Sequence, residues 1–299
     1  MNILNPELLV TIGLPVYNGA DYLDLALKSL SEQTMQGIQF LISDNASTDA
    51  TPEILAKWAA KDPQRFRYHR QPQNIGAYPN FKWVVANAES RWFAFAAHDD
   101  LWSPDYAKAL YSAITAKPHL VLAVPQLITM FEDGREDRRR PVPDYIFTGS
   151  RVDSIRGALN EATAGWFYGL WDRGALLSAI ENTKHFTHAW GSDFVVLLPA
   201  ILSGALVSSN QAIYYKRQTP LSEQRHRPKT GKEHYHIYCD FLQECFSALN
   251  ASSLSPFEKV RLVPPLISYA RHGTKPRRIL RAVAREIVHI LRSMTRGRQ

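Results

Sequence analysis

Cysteine is scarce: Cys239 and Cys245 are the only two in 299 residues. They fall in one predicted helix without the spacing of a metal knot, which excludes a disulfide scaffold and a structural zinc site and points to a reducing, cytoplasmic setting. Long apolar runs are missing too. The longest, Phe194 to Val207, is too short to span a bilayer and is interrupted by Pro199 and Gly204. The start MNILNPELLV has neither the basic residues nor the small-residue cleavage site of a secretory leader. Nor does any G-x-G-x-x-G or lysine-bearing glycine loop follow the first apolar run, which reads PVYNGADYL. That absence argues against a dinucleotide-dependent dehydrogenase and against a sugar-phosphate nucleotidyltransferase.

What the chain does have is an excess of positive charge, +7 with a pI near 9.4. The excess is local. Residues 271–299 hold nine Lys or Arg against one acid, Glu286, and the rest of the chain is left at −1. Aromatic residues are not interleaved with these arginines, so the basicity is not read as a nucleic-acid surface. Ile279, Leu280, Val283, Ile287, Ile290, Leu291 and Met294 form an apolar stripe through the same segment. A helix over 277–295 would then lie on an anionic membrane surface, pack on neighbouring helices, or pair with a second subunit.

Along the remainder, apolar strands alternate with amphipathic helices. LLVTIGLPVY, IQFLISD, FRYHRQ, RWFAFAAHDD and LVLAVPQLITMF read as strands, and Leu23, Ala26, Leu27 and Leu30 mark the first intervening helix. Thr51 and Ser103 are predicted to cap the second and fourth helices. Four successive β-α units predict an α/β fold with a mostly parallel sheet between helices. Residues 132–151 read as a long surface loop. A further helix is expected from Ser192 to Leu202 and a short strand at AIYYKRQ. From about residue 221 three helical patterns follow, at 232–249, 255–271 and 277–295. The predicted organisation is an α/β domain over 1–220 and a helical extension over 221–299.

In open parallel sheets ligands bind beyond the carboxyl ends of the strands. Those ends carry Pro15, Tyr17 and Asn18 after the first strand, Asp44 after the second, Asn74 and Gly76 after the third, and His98, Asp99 and Asp100 after the fourth. Two adjacent carboxylates in one crevice call for a cation, and oxygen ligands suit Mg²⁺ or Mn²⁺.

The ordered set PVYN, SDNASTDAT, NIGA and HDD resembles the family 2 glycosyltransferases, inverting enzymes of the GT-A fold, across roughly residues 8–215. The resemblance implies a UDP- or dTDP-sugar donor with Pro15, Tyr17 and Asn18 beside the base. It implies Asp44 as acceptor of the pyrimidine N3–H, and Asn74 and Gly76 against the nucleoside. Asp99 would lie at the ribose or share the metal, with Asp100 a direct metal ligand. The family often has an acid where this chain has His98. The general base is implied to be Asp193, in AWGSDF, although Ser192 replaces the more usual Glu before it. The acceptor is expected to be a glycan or lipid-linked glycan of a bacterial surface polysaccharide, and the enzyme peripheral on the cytoplasmic membrane. A non-catalytic module of the same fold is the alternative. His226, His234 and His236 are read as surface histidines or a lid ligand. Trp166, Phe167, Tyr168 and Trp171 are read as core or as an acceptor platform.

Overall fold

A computed structural model describes residues 7–138, 141–142, 149–183, 185–218 and 228–274. The predicted helix at 277–295 and His226 lie outside these residues. The first half alternates strand and helix: β1 (Val10–Val16), α1 (Ala20–Ser31), β2 (Ile38–Asp44), α2 (Thr51–Lys61), β3 (Phe66–Arg70), α3 (Ala77–Ala86), β4 (Trp92–Phe95), β5 (Leu101–Trp102) and α4 (Tyr106–Thr115). Then come β6 (Leu122–Phe131), β7 (Glu136–Arg138), α5 (Arg151–Glu161), a 3₁₀ turn (Ala164–Tyr168), β8 (Leu170–Asp172), α6 (Arg173–Asn182), α7 (Ser192–Ser203) and β9 (Leu206–Gln218). Two long helices follow, α8 (Gly231–Ala251) and α9 (Pro256–Thr274). No described helix is long and apolar enough to cross a membrane.

The strands form one mixed sheet in the order β3-β2-β1-β4-β8-β6-β9-β5, with β7 paired to β6. The block β3-β2-β1-β4 is parallel, as its near-continuous apolar strands require, and β8 enters antiparallel between β4 and β6. Alternation along the strands sorts side chains to two cores. Ile12, Leu14, Phe40, Ile42 and Ala94 face α1, α2 and α4, whereas Leu41, Phe93 and Phe95 face α3 and α5 to α9. Ile237, Phe241, Leu262 and Tyr269 of α8 and α9 belong to this second core, which also contains α7.

The two expected caps are used differently. Ala50 occupies the cap position of α2, and the Thr51 hydroxyl instead accepts from the Gly19 backbone N–H at 2.9 Å. The Ser103 hydroxyl accepts from Ile213 N at 3.1 Å, tying the start of α4 to β9. In both places a tertiary partner replaces the local one. Part of the expected loop at 132–151 is the β6–β7 hairpin, and α5, β8 and α6 were not anticipated.

Candidate active site

The parallel block delivers its strand ends to one edge. Val16, Asp44 and Arg70 stand side by side in the register of β1, β2 and β3. Asp44 is fully buried: one carboxylate oxygen accepts from Ser47 N at 2.9 Å and the other from Arg70 Nη1 at 3.1 Å and Tyr68 OH at 3.4 Å. A second guanidinium nitrogen of Arg70 donates to Ser47 O at 2.9 Å. The group presented to solvent at this strand end is therefore Arg70, whose side chain is 45% exposed. Arg70 escaped the sequence reading because its link to Asp44 is a matter of strand register.

The loops after β1 and β2 are stitched together. Asn18 N donates to Ser47 Oγ, Thr48 N to the Asn18 side-chain oxygen, and Ala20 N to Asp49. Asn18 sits at φ 50° and Ala46 at φ 58°, left-handed conformations that these bonds hold in place. Tyr17 stands out of this frame, 41% exposed, while Pro15 is buried in β1. Asn45 clamps the third loop: it donates to Asn74 Oδ1 at 3.0 Å and to Gly76 O at 3.2 Å, and accepts from Ile75 N at 2.8 Å. Gly76, at φ 89° and ψ 162°, occupies backbone space open essentially to glycine alone.

β4 ends at Phe95 and the chain turns at His98 and Asp99, which frees the two acids from strand alternation. The His98 ring lies against Gly19: a Cβ there would come within 2.6 Å of His98 Cδ2 and 2.7 Å of Val16 Cγ2. The clash is steric, since Gly19 itself has an ordinary φ of −109°. Gly19→Ala should therefore cost about 1–3 kcal/mol, read by denaturant unfolding, and push the His98–Asp100 turn outward.

Asp100 is buried and accepts a short hydrogen bond from Tyr214 OH and one from Arg217 N at 2.7 Å. Arg217 also donates to the Asp99 carbonyl at 2.9 Å and lies over the Tyr22 ring. Burial, and then the charge of Asp99, push Asp100 up to about 7. Asp193, in the first turn of α7, reaches the same region. Tyr168, stacked on Tyr214 at 4.8 Å, has its phenol pushed well up by burial and then by the charges of Asp193, Asp100 and Asp99. The charges of three carboxylates from two separate elements thus act on one tyrosine. Burial raises Asp193 as well, opposed by the positive charge of Lys216, which acts on Asp100 too. Lys216 lies in the predicted strand YYKRQ, where nothing local marks it as part of a site.

The expected aromatic platform is largely core: Trp166, Phe167 and Trp171 are buried, and Phe167 stacks on Phe95 at 4.7 Å. Tyr168 alone of the four is half-buried. His234 is buried in α8 and His236 is exposed on it. Among the described residues no group of three His, Cys, Asp or Glu side chains could hold a metal ion. Asp99 and Asp100 nevertheless fit a divalent ion carried mainly by ligand phosphates, which needs only one or two protein carboxylates.

The family model for glycosyl transferase family 2 matches residues 11–168, over half of the chain. The chain belongs to that family. The putative glycosyltransferase EpsH of Bacillus subtilis (strain 168) is 33% identical over 124 residues, 42% of this chain and 35% of EpsH. An uncharacterized protein of Mycobacterium tuberculosis (strain ATCC 25618 / H37Rv) is 32% identical over 127 residues, 42% of this chain and 37% of that one. The matches therefore span little more than a third of the length of these curated relatives. Among solved structures, S. aureus TarS 1-349 in complex with UDP-GlcNAc superposes with a TM-score of 0.67 at 14% identity, covering 88% of this chain and 73% of that one. The mannosyltransferase PcManGT from Pyrobaculum calidifontis, in complex with GDP-Man and Mn²⁺, gives 0.55 at 18% identity, covering 92% and 73%. These likenesses show the GT-A fold of this family 2 member, with its curled central sheet between helices.

Proposed function

We propose that the protein is a metal-dependent, inverting glycosyltransferase that moves a sugar from a UDP- or dTDP-sugar to an acceptor hydroxyl. The observation that carries this reading is that the charges of Asp99 and Asp100, just beyond β4, and of Asp193, on α7, all act on Tyr168, with β1 alone between β4 and the strand that ends in Asp44. A UDP-GlcNAc-bound neighbour and a Mn²⁺-bound neighbour support the donor class and the ion.

In this scheme the pyrimidine lies on the edge formed by Tyr17, Asp44 and Arg70, with Asn74 and Gly76 along the nucleoside. Asp44 accepts the N3–H once Arg70 turns aside, and Arg70 donates to the neighbouring carbonyl. Asp99 and Asp100 would hold Mn²⁺ or Mg²⁺, which neutralises charge on the departing diphosphate when bound. Asp193 takes the proton from the attacking hydroxyl on the opposite side of the anomeric carbon, so attack is in line and the centre inverts. The charge of Lys216 favours the ionised form of Asp193 against the effect of burial. The basic segment beyond Arg271 would keep the enzyme on the cytoplasmic face of an anionic membrane, where a lipid-linked glycan acceptor resides.

A panel of UDP- and dTDP-sugars with Mn²⁺, scored for nucleotide binding and nucleotide release, tests the reading. Absence of binding by every uridine and thymidine diphosphate would end it, and binding without turnover on any acceptor would favour a non-catalytic module. The pH profile supplies a sharper check. Only ionised Asp193 can act as base, and burial lifts its proton affinity, so kcat/KM should fall on an acid limb above the usual aspartate range. Lys216→Met removes the opposing charge. Its acid limb should move to higher pH still.

A further inference from the structure

The helix that carries Asp193 begins badly. Its cap residue is Gly191, in the left-handed region at φ 87°, and no side chain caps the first turn. Such a turn frays unless something outside the helix holds it. Three contacts do so, and all come from the C-terminal helices. Tyr269 of α9, fully buried, donates from its phenol to the backbone carbonyl of Phe194 at 2.6 Å, and the two rings meet edge to face at 5.6 Å. His188 pairs through Nε2 with Asp240 of α8 at 2.7 Å. Between them Phe186 packs edge-on against Phe241 of α8 at 5.9 Å, and Phe241 in turn packs on Tyr269 at 5.9 Å. The loop 185–191 and the first turn of α7 are thus clamped on the side facing α8 and α9.

We propose that Tyr269 is a positioning residue for Asp193, and that α8 and α9 serve catalysis by fixing the first turn of α7. The inference rests on Asp193 being the general base. A base must be held within a few tenths of an ångström of its working position, and the bond to Phe194 O acts on the very next residue. The Tyr269 phenol is pushed well up by burial, then by Cys245 and then by the charge of Asp193, which places Asp193 within electrostatic reach of it. The helical extension would then be a working part of the active site.

The experiment compares full-length wild type, Tyr269→Phe, Asp193→Ala and the double variant, using a UDP-sugar that the wild type turns over. UDP affinity, donor KM, kcat and melting temperature are read for each. Tyr269→Phe keeps the ring and loses only the hydroxyl. It should lower kcat about 10-fold, the reach of one hydrogen bond acting on geometry, with donor KM and UDP affinity unchanged. Added to Asp193→Ala, it should cause no further loss. A kcat close to wild type in a folded Tyr269→Phe, or an equal loss in both backgrounds, would overturn the proposal. Wild-type turnover by Asp193→Ala would instead overturn the base assignment, and this inference with it. Should Tyr269→Phe not fold, Asp240→Asn carries the same comparison, because that carboxylate is 52% exposed and weakens the clamp without entering the core.

Discussion

Asp193→Asn should lose about 10²–10⁴-fold in turnover and gain thermal stability in the same substitution. The first effect follows from its proposed role: an amide keeps the size and one acceptor oxygen of the carboxylate but cannot take a proton. Donor binding should survive, because the sugar nucleotide is held at the strand ends and Asp193 comes from α7. The second effect follows from the partial burial of Asp193 in the first turn of α7. Among the folded-state influences on Asp193, desolvation is the largest and raises its proton affinity above that of the unfolded chain, with Lys216 opposing. A carboxyl whose folded pKa is raised favours the fold fully below its unfolded pKa and loses that contribution as pH rises through the folded value. At neutral pH the ionised group is thus a burden on stability, and the asparagine removes it. The variant's melting temperature should exceed that of wild type at pH 7, and the gap should close as the pH is lowered. A residue kept only to start a helix would show the reverse, lower stability with turnover intact.

The parallel half of the sheet and its helices could be read from the sequence because their signals are local and repeated. Alternating Val10, Ile12 and Leu14, and the stripe Leu23, Ala26, Leu27 and Leu30, each state within a dozen residues which face is buried. The strand ends were readable for the same reason, since Asp44, His98, Asp99 and Asp100 interrupt apolar runs. What escaped depends on partners distant in sequence. β8 is three residues long and exists only because β4 and β6 accept it from either side. The second half therefore looked like loop where the sheet continues. Thr51 and Ser103 have the chemistry of caps, but the backbones of Gly19 and Ile213 outcompeted the helices they precede. Arg70 and Lys216 were missed because each acts across strands, through register or through space. Tyr269, 76 residues beyond Asp193, looked like any apolar position of an amphipathic helix.

Asp44→Asn should weaken UDP binding about 10- to 100-fold, and more than Arg70→Ala does, although Arg70 is the exposed member of the pair. Asparagine at 44 retains an oxygen for Ser47 N but turns an amide toward the Arg70 guanidinium, setting donor against donor where a guanidinium now meets a carboxylate, while the Tyr68 hydroxyl can only turn from donating to accepting. Arg70 then loses the charge that fixes it, and the pyrimidine N3–H loses its acceptor, so two contacts fail together. In Arg70→Ala the carboxylate is uncovered instead. It keeps the bond from Ser47 N and stands open to the base, so only the donor to the neighbouring carbonyl is lost. Titration calorimetry with UDP, dTDP and CDP separates the two effects. Cytosine has no N3–H to give, so CDP should bind weakly to wild type and should gain relative to UDP in Asp44→Asn, whose amide can donate to the cytosine N3. An unchanged ratio of UDP to CDP affinity would mean that Asp44 anchors Arg70 without reading the base, and that nucleotide choice is made elsewhere along the strand ends.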